Sequence, residues 1–321
     1  VKEQQPVSFS ITRRHFSGLV AATATPLAST ALAASMPTRP LGKIGFQASI
    51  LGLGAQRLAD RPMEQSAVDR LIAEAIDGGV NYVDTARGYG DSEKLLGPAL
   101  KGRRDKVFLV TKTRSSSREG ALKDIEESLR LLKTDHVDCF HIHNIARDDR
   151  FPNLQQALSE DGVLGGVMEA KKRGMTRHVG CTAHLKAPRV LPVFATGQIE
   201  LFMCTLNFVE LHIYNFEEQV LPEAKRRGIG VIAMKVFGGP TGRDVKPRLY
   251  TPEDYASTLR YVWGLPQLSV AIVGMRNLDE LRQGLAAARG FQPLPPAELS
   301  KLMRRGKEMA AEWGPLRGDV V

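Results

Sequence analysis

The sequence predicts an α/β protein folded as a closed (β/α)8 TIM barrel, with a β-hairpin in front of it and an extra helix behind it. Short apolar runs alternate with amphipathic segments of helical period about eight times between Ile50 and Ala288, the count such a barrel needs. The runs are continuous rather than alternating, as parallel strands buried on both faces require. Several of them end in polar groups, where barrels of this kind gather their chemistry. The main competitor, a doubly wound open sheet, wants a Gly-x-Gly-x-x-Gly at its first strand-to-helix turn; Leu51-Gly52-Leu53-Gly54-Ala55 supplies only the first part.

The first segment is not part of that fold. Thr12-Arg13-Arg14-His15-Phe16 precedes a weakly apolar, Ala- and Thr-rich stretch from Gly18 to Leu32, which ends in Ala31-Leu32-Ala33. This order reads as a twin-arginine (Tat) export signal over residues 1–33, cleaved after Ala33. It implies passage through the Tat translocase after cytoplasmic folding and a periplasmic or otherwise exported location. The stretch is too short and too polar for a stable membrane anchor. Residues 34–321 then form one domain.

Within it, glycines 42 and 45 break Leu41 to Leu53 into a hairpin and an entering strand, a lid for one end of a larger fold. A helix over Met63 to Asp77 stops at Gly78-Gly79, and Val80 to Asp84 forms the next strand. Helices follow at 91–101, 117–132, within 154–173, at 188–196, 217–227, 252–263 and 277–288. Strands fall between them at 106–112, 136–143, 178–182, 201–205, 230–235 and 268–273. Residues 298–313 add the final helix.

Composition narrows the function. A formal net charge of +9 is spread among acids, and short basic clusters such as Lys171-Lys172-Arg173 sit just before glycines, where helix C-termini favour cations. No groove-reading motif accompanies the charge, which argues against a nucleic-acid partner. Cys139, Cys181 and Cys204 are widely spaced inside apolar runs, a pattern of buried small hydrophobes rather than of metal ligands or a disulfide framework.

Asp84, Lys112 and His143 each end a strand, and Tyr89 lies on a glycine-flanked loop just after Asp84. A lysine at the end of an apolar strand needs a partner, and Asp84 on the next strand is the candidate. A free phenol, with a pKa near ~10, is a poor proton donor at neutral pH unless its anion is stabilised; a nearby ammonium does that. Asp84 would hold Lys112, Lys112 would support Tyr89, and Tyr89 would give up a proton.

Leu41-Gly42-Lys43, Leu51-Gly52-Leu53-Gly54, Asp84-Thr85-Ala86-Arg87-Gly88-Tyr89-Gly90, Ser92-Glu93, Thr111-Lys112, Asp135 to His143 and Gly274-Met275-Arg276-Asn277 together resemble the aldo-keto reductase family over residues 38–290. The resemblance implies a catalytic tetrad of Asp84, Tyr89, Lys112 and His143 around the nicotinamide of NADP(H), favoured over NAD(H), with a small-molecule aldehyde or ketone as substrate. His143 would hydrogen-bond the carbonyl oxygen. Thr182, Asn207, Met234, Lys235, Gly274 and Arg276 are the implied cofactor contacts, with Arg276 at a 2′-phosphate and no metal. The sequence departs from the family at Ala183, Met203 and Met234, which replace an amide, a glutamine and a stacking aromatic ring. That departure keeps open a catalytically weak barrel that binds nucleotide or a partner. His141, His143 and His184 also leave room for a zinc-dependent hydrolase.

Overall fold

A computed structural model of the chain describes residues 35–59, 63–239 and 247–320. Two short antiparallel strands, β1 (Thr38–Pro40) and β2 (Gln47–Ser49), come first. Eight parallel strands follow: β3 (Leu51–Gly54), β4 (Tyr82–Asp84), β5 (Phe108–Thr113), β6 (Val137–Ile142), β7 (Thr176–Ala183), β8 (Leu201–Thr205), β9 (Gly230–Met234) and β10 (Leu268–Val273). They close into a barrel in the order β10-β3-β4-β5-β6-β7-β8-β9, so every strand pairs with its neighbours in sequence and the last pairs with the first. This is the (β/α)8 architecture that the alternation predicts.

Both faces of the strands are apolar for different reasons. Leu53, Val83, Leu109, Phe140, Val179, Phe202 and Val231 join the larger cluster that includes the surrounding helices, while Tyr82, Phe108, Val110, Cys139, Met203, Ile232 and Val270 form a second cluster filling the barrel. Cys139, Cys181 and Cys204 are free and buried within these layers.

The hairpin plugs the end at which the strands begin. Leu41 and Ala48 pack into the inner cluster, and the Phe46 ring lies 5.0 Å from that of Phe108 at the start of β5. Gly42 has φ +58°, and a Cβ there would stand 2.4 Å from the backbone nitrogen of Gly230. Glycine alone allows the turn to touch the barrel backbone so closely. The opposite end, where the strands finish, is left for the site.

The helices match the expected spans with three breaks. Residues 217–227 form two pieces, Phe216–Gln219 and Leu221–Arg227, because Val220 leaves the helical region and Pro222 has no N–H to continue the ladder. Residues 188–196 divide into a tight turn, Ala187–Val190, and a short helix, Leu191–Ala195. Leu154–Ala157 and Val163–Lys172 are separated by a turn before Gly162. Capping sets the cleaner starts: Ser117 accepts from Gly120 N ahead of Arg118–Leu132, and Asn277 accepts from Glu280 N ahead of Leu278–Arg289. The last helix runs from Pro296 to Trp313. The export signal read over residues 1–33 lies outside the described residues, among which no helix is long and apolar enough to cross a membrane.

Candidate active site

Asp84 is the last residue of β4 and is buried. From the adjacent β5, Lys112 donates to Asp84 Oδ2 at 2.6 Å and to the carbonyl oxygen of Thr85 at 2.7 Å; its Nζ lies 3.4 Å from Tyr89 Oη. Tyr89 is held by a tight turn in which its N–H donates to Ala86 O at 3.0 Å and Gly90 takes φ +53°. Glu93 anchors the far side of the loop, pairing with Arg87 and accepting from Thr111 Oγ1 at 2.6 Å. His143 follows β6, its ring edge-on to Tyr89 with 5.8 Å between centroids. The stretch from Val80 to Glu93 supplies Asp84 and Tyr89, and β5 and the end of β6 bring Lys112 and His143 to the same mouth.

Their protonation suits proton transfer. Burial works against the Lys112 cation, but Asp84 and Tyr89 outweigh it and hold the ammonium charged. Burial raises the Asp84 carboxyl, and Lys112 pulls it back. Burial likewise keeps Tyr89 above the ordinary phenol range, with Lys112 opposing, so the phenol carries a proton to give. Burial and then the Lys112 charge push His143 well below the usual histidine range, which leaves a neutral imidazole. His184 is neutral for related reasons, burial first and Lys235 next.

His184 sits 6.0 Å from His143, edge to face. His141 instead lies inside the barrel over Gly180: a Cβ on that glycine would stand 2.5 Å from the imidazole, and neither ring nitrogen has a hydrogen-bond partner in the protein. Among the described residues no three His, Cys, Asp or Glu side chains are arranged to hold a metal ion. Among those residues His141, His143 and His184 form no ligand set for zinc.

The implied cofactor contacts surround the rest of the mouth. Thr182 Oγ1 accepts from Asn144 N at 2.7 Å and keeps its own proton for a further bond. Asn207 is fully buried and committed: its Nδ2 donates to Glu210 and to the carbonyl of Lys235, and its Oδ1 accepts from Val209 N and Glu210 N. It holds the loop that presents Lys235 rather than offering its own amide. Met234 ends β9 and packs with Met203 in the apolar cluster inside the barrel, whereas Ala183 packs outward in the cluster shared with the helices. Lys235 takes a left-handed φ of 55°, and burial, then Arg317 and Arg57, lower its amine to about 8. Gly274 leaves room for Arg57, whose Cγ would lie 2.4 Å from a Cβ there. Arg276 is folded onto Glu280, with Nη2 to Oε1 at 2.9 Å.

Three contributors had no motif to announce them. Arg57 comes from the loop after β3. Arg317 reaches in from the tail, 2.6 Å from buried Glu210, and donates to Gly239 O at 2.9 Å. Thr205, the last residue of β8, has a buried hydroxyl with no partner in the protein. Arg57 beside Gly274 and the Lys235 amine close to it, together with the helix start after Gly274–Asn277, fit the anionic groups of a dinucleotide.

The model of the aldo/keto reductase family matches residues 50–254. The chain belongs to this family. It is an NAD(P)H-dependent aldo-keto reductase. It is 27% identical over 296 residues to L-galactose dehydrogenase of Arabidopsis thaliana, covering 80% of this chain and 89% of the relative. It is 29% identical over 185 residues to methylglyoxal reductase DkgB of Salmonella typhi, covering 56% of this chain and 63% of that protein. The aldo-keto reductase AKR11C1 of Bacillus halodurans in its holo form superposes with a TM-score of 0.68 at 22% identity, over 84% of this chain and 96% of the other, a likeness of fold.

Proposed function

We propose that this aldo-keto reductase reduces the carbonyl of a small aldehyde or ketone with NADP(H) and that Tyr89 donates the proton. The observation that carries this is the position of Lys112 Nζ, bonded to Asp84 and 3.4 Å from the Tyr89 hydroxyl. When bound, the nucleotide supplies the hydride to the carbonyl carbon. Tyr89 gives its proton to the carbonyl oxygen, and the Lys112 ammonium stabilises the phenolate left behind. Asp84 keeps that ammonium charged and aimed. Neutral His143 has a ring nitrogen for the same oxygen and fixes its angle beside Tyr89. The preference for the phosphorylated nucleotide rests on Arg57 and Lys235. Thr182 and Thr205 offer hydroxyls to the nicotinamide carboxamide in place of the missing amides. The relatives' names, a sugar dehydrogenase and a methylglyoxal reductase, support a small polar carbonyl compound as substrate.

Tyr89→Phe is expected to cut turnover of a test aldehyde by about 10²–10⁴-fold while leaving NADPH affinity, measured by fluorescence titration, close to wild type; unchanged turnover would sink the assignment. Affinity without turnover in the wild type would instead favour the nucleotide-binding alternative, which the apolar side chains at Ala183, Met203 and Met234 support. Export is also proposed, on the Arg13-Arg14 pair and the stretch behind it. Replacing both arginines by lysine should leave the protein in the cytoplasmic fraction, and an unaltered distribution would count against a Tat signal.

A further inference from the structure

Two arginines beside the tetrad have no part in the reaction described above. Arg114 follows β5 and is exposed; its side chain lies over Gly88, with Cδ 2.4 Å and Nη1 3.2 Å from where a Cβ on that glycine would stand. A glycine immediately before Tyr89 is what lets the guanidinium reach the mouth. Arg150 is partly buried on the loop after β6 and donates to the carbonyl oxygen of His143 at 3.0 Å. The two side chains thus flank the proton donor and the carbonyl-orienting imidazole. Burial and then Arg114 lower the Arg150 guanidinium, with Asp149 opposing, and both arginines add, after burial, Lys112 and His184, to the lowering of His143, so the two guanidiniums act on one another.

The nearby acids are occupied elsewhere. Asp149 takes Arg147, and Asp148 takes Lys186 Nζ at 2.6 Å. Asp124 accepts from Thr113 Oγ1 at 2.6 Å and from the backbone N–H of Arg114 at 3.2 Å. Among the described residues no carboxylate forms an ion pair with either guanidinium. Asp149 acts on Arg150 only at a distance, so both guanidiniums keep N–H groups for an anion at the edge of the cleft.

That anion is not supplied by the cofactor phosphates. In the barrel order, β5 and β6 stand diametrically across from β9 and β10, whose loops carry Lys235 and Gly274–Asn277. Resting on the reductase reading above, we propose that Arg114 and Arg150 form a subsite for a carboxylate of the substrate, which makes the substrate class oxo acids: aldehydes or ketones with a carboxylate a few bonds from the carbonyl carbon.

The test compares 4-carboxybenzaldehyde with 4-formylbenzamide, near-equal in shape and different in charge, using NADPH oxidation by the full mature chain. The expected result is a kcat/KM ratio of about tenfold or more for the carboxylate, falling as salt rises. In Arg114→Gln and Arg150→Gln that ratio should drop about tenfold, chiefly through KM, and Arg114→Lys should recover part of it. A ratio near one in the wild type, or a ratio unmoved in both variants, overturns the proposal. If neither aldehyde turns over, calorimetric titration with terephthalate separates the two readings. Binding that Arg114→Gln abolishes keeps the anion subsite and rejects only the reduction of these two aldehydes; no binding sinks the subsite.

Discussion

At the scale of single residues, Lys112 and Lys235 show how position decides what a lysine does. Lys112 meets a carboxylate at 2.6 Å and stays charged. Lys235 is buried and faces Arg317 and Arg57 with Glu210 opposing, and its amine is lowered to about 8. Below that pH the ammonium is present and available to a phosphate; above it the charge is lost. NADPH affinity is therefore expected to fall as pH rises through about 8, where an ordinary lysine would remain charged to about 10. Lys235→Met should bind more weakly at neutral pH and show a flatter profile between pH 7 and 9; a wild-type slope retained in this variant would assign the titration to another group. The tetrad was legible because strand ends of a barrel share one mouth, so Asp84, Lys112 and His143 could be brought together from periodicity alone. Arg57, Arg114 and Arg317 come from loops and the tail, where spacing along the chain carries no distance.

Among the elements, β6 and β7 are tied by a pair that hydrophobic patterning does not reveal. His141 reads as one more polar residue on a strand with His143, yet it occupies the space that Gly180 vacates. Gly180→Ala would place a methyl group 2.5 Å from that ring and 2.6 Å from the carbonyl oxygen of Leu201. The backbone oxygen cannot swing aside. The variant should lose about 1–3 kcal/mol in urea denaturation, the usual cost of overpacking a core, and a midpoint unchanged from wild type would show that β7 can shift. The strands were readable because burial on both faces leaves uninterrupted apolar runs. The helix breaks at Val220 and Gly162 were not, since an amphipathic stripe continues across a short turn.

The whole molecule is closed at its C-terminal end by a charge. Arg317 and Glu210 are 2% and 1% exposed at their side chains and lie 2.6 Å apart, and Tyr214 Oη accepts from the Arg317 N–H at 2.7 Å. Removing one member strands the other, because burial already raises the Glu210 carboxyl. Arg317→Ala is expected to cost about 3–5 kcal/mol in thermal or chemical denaturation, and adding Glu210→Gln should recover much of the loss. Additive losses in that cycle would mean that the pair does not hold the tail.

The contact between Gly42 and Gly230 joins parts of the chain that are very far apart in sequence. Its surface on the barrel exists only once β9 stands beside β8, with Leu201 and Gly230 in register, so loop-closure entropy places docking of the hairpin after most of the barrel has formed. The hairpin, early in the chain, is thus late to find its place. Phe46 against Phe108 becomes a reporter of completion: a chain that has seated its hairpin has, by geometry, already built the cylinder beneath it.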